Sequence, residues 1–156
     1  MTPSARIAAV IALVADVDAT PRRPADATAN DFFRGRRYIG SGDRRAVAER
    51  AWGVLRQRLR LSWHLLQVGL PVEPRHLVMA HLVLAEGWNA EGVEQGYPGG
   101  RFNPPPLDQG ERKLIDSSYL FNSSIGMSND PLRYEKRLLD DWVRREFRGD
   151  AEVAGR

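Results

Sequence analysis

Apolar side chains recur three and four residues apart in segment after segment of this chain, and no stretch sustains the alternation of a half-buried strand. A period near 3.6 gathers such residues on one helix face, so the pattern predicts an all-α bundle. Ile7, Val10, Ile11, Val14 and Val17 set the first stripe. Thr2-Pro3 opens it, a capping hydroxyl followed by the imino acid that suits the first helical position. Thr20 to Pro24 reads as a loop, and a short helix with Phe32 and Phe33 on its apolar side runs to about Arg36. Gly40-Ser41-Gly42-Asp43 is a break, after which Ser41 or Asp43 caps a helix whose stripe is Val47, Ala51, Val54, Leu55 and Leu59.

Leu61 to Val68, with Trp63, Leu65 and Leu66, either continues that helix or starts another after a kink near Arg60, and it ends at Gly69. Pro74 begins a helix that is apolar nearly all round, through Leu77, Ala80 and Leu84 to a stop at Gly87, the pattern of a central buried helix. Asn89 to Gly96 forms a short, weak helix. Tyr97 to Pro106 holds four prolines and two glycines, an ordered loop or a linker. Asp108-Gln109-Gly110-Glu111 fits a capping box, with Leu114, Ile115, Tyr119 and Leu120 on the helix that follows. Asn122 to Asn129 is loop-like. Asp130-Pro131 caps a last helix that buries Leu132, Leu138, Leu139, Trp142, Val143 and Phe147 and stops at Gly149. Seven or eight helices in one bundle is the simplest account, over residues 1–150, with 151–156 a small polar tail. Val47, Leu55, Leu77, Leu84, Leu114, Leu139 and Trp142 are expected in the core.

A chain of 156 residues that is 42% apolar and 28% charged suits one globular domain. Cysteine is absent, which excludes disulfide staples, thiolate metal sites and cysteine nucleophiles together. A core must hold the fold, and a cytoplasmic location is expected. Ile7 to Val17 contains Asp16, follows a single Arg6, shows no signal-cleavage pattern and is too short to span a bilayer.

No catalytic centre, metal site or cofactor loop is expected within the chain. His76 and His81 stand about 140° apart around a helix rather than on one face, and His64 lies elsewhere, so all three read as structural or surface histidines. Gly40-Ser41-Gly42 lacks a preceding strand and a third glycine. Asp140 and Asp141 read as part of a solvated helix face. Asn103-Pro104-Pro105 shares the start of the Asn-Pro-Pro-Tyr loop of amino-group methyltransferases, but Pro106 replaces the aromatic residue and no strand precedes it. An extended polyproline-type loop over the bundle is the expectation.

The sharpest functional signal is charge placement. Arg34 to Arg60 holds nine arginines against Asp43 and Glu49, so this stretch carries +7 and the remainder −4. Such asymmetry points to an anionic partner. The chain has 21 arginines and 2 lysines, so arginine is favoured throughout, but a general excess does not explain the clustering. Arginine grips phosphate with two parallel N–H groups and stacks on bases. Tyr38 and Phe33 lie among the arginines at stacking positions, although Phe33 also reads as core. Arg34, Arg36, Arg37, Tyr38, Arg44, Arg45, Arg56 and Arg58 are the candidate RNA-binding residues. Arg44 and Arg45 also begin a helix, where cations are disfavoured unless an anion is near. A phosphate relieves that conflict, and so does Asp43 alone.

The stretch from Phe32-Phe33-Arg34-Gly35-Arg36-Arg37-Tyr38-Ile39-Gly40-Ser41-Gly42-Asp43-Arg44-Arg45 to Gly53-Val54-Leu55-Arg56 resembles the N-terminal domain of the RsmB/Sun (Fmu) family of ribosomal-RNA cytosine-C5 methyltransferases. Leu59 to Leu66 resembles that family's next leucine-rich helix, and Pro106-Leu107-Asp108-Gln109-Gly110-Glu111-Arg112 its later loop-to-helix transition. The likeness runs from residue 3 to about 149 and is strongest over 32 to 66. It implies a NusB-like RNA-binding bundle that positions ribosomal RNA for a catalytic domain using S-adenosylmethionine and a cysteine. Neither a cysteine nor a glycine-rich cofactor loop is present here, and Tyr134 to Leu139 stands where the family's Asn-Val-Pro-hydrophobic segment is expected. The chain is therefore read as a fragment or a stand-alone relic without the catalytic domain. A NusB-like protein-interaction or antitermination-type module is the alternative.

Overall fold

The computed structural model describes residues 1–115, with Lys113 and Leu114 described in backbone alone. The expectations for the Leu114 side chain, and for everything from Tyr119 to the tail, including Leu139 and Trp142, lie outside the described residues. Among these the fold is all-α, with seven helices and no strand. They are α1 (Pro3–Ala19), α2 (Ala25–Arg34), α3 (Ser41–Arg56), α4 (Arg58–Gln67), α5 (Pro74–Leu84), α6 (Ala90–Gly96) and α7 (Gln109–Ile115). No described helix is long and apolar enough to cross a membrane.

The local signals act as their chemistry requires. The Thr2 hydroxyl accepts the Ala5 N–H at 3.1 Å, and Pro3 begins α1. Asn89 caps α6 by accepting the Gly92 N–H at 2.7 Å. Asp108 and Glu111 form the reciprocal capping box: the Glu111 N–H donates to Asp108 Oδ1 at 2.7 Å, and the Asp108 N–H donates to Glu111 Oε1 at 3.0 Å. At α3 the expectation fails, because Gly40 occupies the cap position and neither Ser41 nor Asp43 makes a capping bond. The Asp43 carboxylate accepts instead from Arg6 of α1 at 2.8 Å. That hydrogen bond lowers its pKa.

α1 and α5 run through the middle. α1 packs against α2, α3, α5 and α6, while α5 also meets α3, α4 and α6. Every residue of α5 from His76 to Leu84 is buried, as its all-round apolar pattern requires. Val47, Ala51 and Val54 carry the α3 stripe into the core with Leu77 and Leu84. Leu55 is only partly buried. Leu59 and Leu66 are exposed, because the chain breaks at Gln57 and α4 starts with a new phase that buries Leu61 and Leu65.

α3 and α5 touch at Gly53, where an added Cβ would lie 2.7 Å from Cε1 of the buried His81 ring. Gly42, near the start of the same helix, has open space around it. Exchange of glycine for alanine inside a helix is intrinsically favourable by up to about 1 kcal/mol. Gly42→Ala should therefore leave the urea midpoint unchanged or raise it. Gly53→Ala should lower stability by about 1–3 kcal/mol through overpacking.

One buried ionic cluster joins the end of the described chain to α5. Arg75 donates Nε and Nη2 to the two oxygens of Glu111 at 2.8 and 3.0 Å, and its other donors reach the carbonyls of Pro105 and Pro106. The His76 ring spans Glu111 and the Pro71 carbonyl, with Nε2 2.8 Å from Glu111 Oε2 and Nδ1 2.9 Å from the carbonyl oxygen, the donor set by the tautomer. Glu111 is 3% exposed. Burial alone would raise its pKa, but the Arg75 hydrogen bond, the Asp108 N–H and His76 outweigh it and bring the value down to about 2 from 4.5. Burial also holds His64 down at about 4 from 6.5, and lowers His81.

All three groups bind protons less readily folded than unfolded, so each contributes stability at neutral pH that is lost on acidification. The histidine share should fade between pH 6.5 and about 4, and the Glu111 share between pH 4.5 and about 2. Glu111→Gln should remove the lower phase of the stability–pH curve and leave the upper one. A curve flat from pH 7 to 5 would contradict the burial of the histidines.

Candidate nucleic-acid interface

The corner between α2 and α3 is built around Ile39, which is 1% exposed. Its N–H donates to the Arg36 carbonyl at 3.1 Å, closing a turn whose two central residues are Arg37 and Tyr38. Central turn residues project outward when the flanking one is pinned in the core. Arg37 is accordingly exposed, and Tyr38 is 74% exposed. Phe33, at the end of α2, is buried in edge-to-face contact with Phe32, as its core reading requires.

The arginines divide by use. The Arg36 guanidinium lies 3.8 Å from the centre of the Phe32 ring and donates to the Phe32 carbonyl at 3.2 Å. Arg44 donates Nε to the Ile39 carbonyl at 2.8 Å, tying the first turn of α3 to the corner. Arg58 makes a two-pronged ion pair with Asp18 of α1. Arg50, outside the candidate set, does the same with Glu86. Arg34 has a loose partner in Asp31 at 3.2 Å, and Asp31 is shared with Arg23. Arg37, Arg45 and Arg56 are exposed.

Arg34, Arg37 and Arg44 line one cleft of about 450 Å³ with Asn30 and Phe33, and no described carboxylate lines it. Arg36 and Tyr38 line a different groove, between α1 and the 97–106 loop. Arg56 and Arg58 are not brought to the corner: twelve residues separate Arg44 from Arg56 on α3, roughly 18 Å of helix. The candidate residues thus fall into a corner group and a distal pair rather than one surface.

Two residues that the sequence pattern did not single out share the Tyr38 groove. Arg101 and Phe102 sit at the tip of the proline-rich loop, with the guanidinium 5.0 Å from the ring centre and Phe102 70% exposed. An arginine–aromatic pair set between two glycines and three prolines was the available signal.

S-adenosylmethionine, which the resemblance assigns to a further domain, has no fitting seat among the described residues. They contain no strand and hence no strand–turn–helix cradle for it. Among them no histidine, aspartate and glutamate group has metal-site geometry.

A family model described as a protein of unknown function (DUF3016) matches residues 106–145, beginning at the capping-box segment. No curated protein and no solved structure matches the chain.

The division of arginines is measurable. Arg36→Ala should lower stability by about 0.5–2 kcal/mol through loss of the ring contact. Arg37→Ala should change it by less than about 0.5 kcal/mol. Equal losses in thermal denaturation would mean that the corner turn is held differently.

Proposed function

We propose that this chain binds structured RNA through the α2–α3 corner and holds it for a catalytic domain. That is the role of the N-terminal module of the ribosomal-RNA cytosine-C5 methyltransferases it resembles, and it fits a NusB-like fold and a cytoplasmic location. The observation that carries the reading is the cleft of Arg34, Arg37 and Arg44, lined by no described carboxylate, with the exposed Arg45 next to Arg44 in sequence. Phosphate is the partner whose geometry and charge match paired guanidinium groups.

Arg44 contributes charge while its Nε serves the Ile39 carbonyl, so it orients the cleft. The exposed Arg34, Arg37 and Arg45 supply the remaining contacts. Arg56 at the end of α3 and Arg58 at the start of α4 lie too far from the corner for the same phosphate group, and the Arg58 charge is balanced by Asp18. Methyl transfer to cytosine C5 proceeds through a nucleophile that adds to the ring. A chain without cysteine supplies no thiolate for that step, and S-adenosylmethionine and catalysis belong to the partner domain.

Affinity for a structured RNA hairpin should fall steeply with salt as counterions are released. The triple change Arg34→Gln, Arg37→Gln and Arg45→Gln should flatten the log–log slope by about 2–3 units with little change in melting temperature. RNA affinity untouched by the triple change would favour the NusB-like protein-interaction module instead.

A further inference from the structure

We propose that the groove between α1 and the 97–106 loop seats unpaired nucleobases of single-stranded RNA, stacked on Tyr38 and Phe102. The proposal deepens the RNA-binding reading and rests on it, but its residues differ from those of the phosphate cleft. One exposed aromatic ring on a protein surface is ordinary. Here two rings, 74% and 70% exposed, line a single groove of about 800 Å³, while Phe32, Phe33 and Tyr97 are buried. Ala8 and Ala12 of α1 lie along it, and side chains this short leave depth for a planar ring.

Charge selects the occupant. Arg36 and Arg101 line the groove and no described carboxylate does, so a polyanion is favoured over an acid-poor apolar peptide. Stacking faces beside guanidinium groups are the arrangement by which proteins hold unpaired bases, because every base offers a π-face and every link a phosphate.

The backbone supplies an independent argument. Phe102 adopts φ 70°, a left-handed conformation that glycine takes freely and a phenylalanine does not. The loop enforces it: the Gly99 N–H donates to the Pro104 carbonyl at 3.0 Å, and Asn103 Nδ2 donates to the Gly99 carbonyl at 3.0 Å. A ring held at a strained position, yet left in solvent, adds little to the core. Its use lies outside the fold.

The experiment uses the full chain, with fluorescence anisotropy of a labelled oligouridylate and of a blunt RNA duplex of equal length. Tyr38→Ala and Phe102→Ala should each weaken oligouridylate binding on the order of 5- to 150-fold and leave duplex binding and its salt slope unchanged. Tyr38→Trp and Phe102→Trp should retain binding, and the new tryptophan at 102 should be quenched by the oligonucleotide. Phe102→Gly separates function from folding: it should weaken binding like alanine while melting at or above the wild-type temperature.

Oligouridylate affinity unchanged in both alanine variants, but lost on replacement of Arg34, Arg37 and Arg45, would overturn the groove and leave the RNA reading intact. Equal loss on duplex and single strand would also overturn it. Failure of the wild-type chain to bind either RNA would remove both.

Discussion

The Glu111 carboxylate organises the C-terminal part of the described chain. It receives two N–H groups of Arg75 and the backbone N–H of Asp108, and His76 Nε2 lies 2.8 Å from it. Without those donors a carboxylate 3% exposed would carry a severe desolvation penalty, and removing a partner from such a pair costs about 3–5 kcal/mol. Because Arg75 also grips the carbonyls of Pro105 and Pro106, the same charge fixes the end of the proline-rich loop against α5, just before α7 begins. That loop carries Arg101 and Phe102. The ion cluster anchors the C-terminal end of that loop, while the Gly99–Pro104 and Asn103–Gly99 hydrogen bonds shape its tip beside α1.

Local chemistry was legible in the sequence because it acts over a few residues. Thr2-Pro3, the Asp108–Glu111 box and the all-round apolar α5 each specify their structure within one or two turns. The Asp108–Glu111 spacing revealed the cap but not the second use of Glu111, since Arg75 lies 36 residues away. Asp43 misled for the same reason. Its spacing suits a helix start, but Arg6 of a packed neighbour competes for the carboxylate and wins. Leu59 followed the α3 stripe on paper, yet the break at Gln57 resets the helical phase and turns it into solvent.

The arginine clustering was legible as charge and not as geometry. Composition counts Arg36, Arg44 and Arg58 with Arg37 and Arg45, although the first three are engaged with a ring, a carbonyl and a carboxylate. A ring or a carbonyl holds a guanidinium in place and leaves its charge, so Arg36 and Arg44 give up reach, while only Arg58 has its charge answered. The useful division within the basic segment comes from what each guanidinium already touches. Phe102 escaped the sequence reading because a loop residue has no periodicity, and its significance lies in exposure and backbone angle.

The helix-start conflict at Arg44 and Arg45 narrows once the side chains are placed. Arg44 folds back so that a carbonyl receives its Nε, which partly answers the positive end of α3. Asp43, the nearest negative charge, is shared with Arg6, and its low pKa reflects that hydrogen bond. Arg45, the fifth residue of α3, is exposed, while Asp43 in the first turn is drawn toward α1. An anion in the cleft would meet Arg34, Arg37 and Arg44 together, beside the N-terminal turn of α3. The physics thus favours a phosphate at the α2–α3 corner over one at the far end of α3, where Asp18 has already answered Arg58.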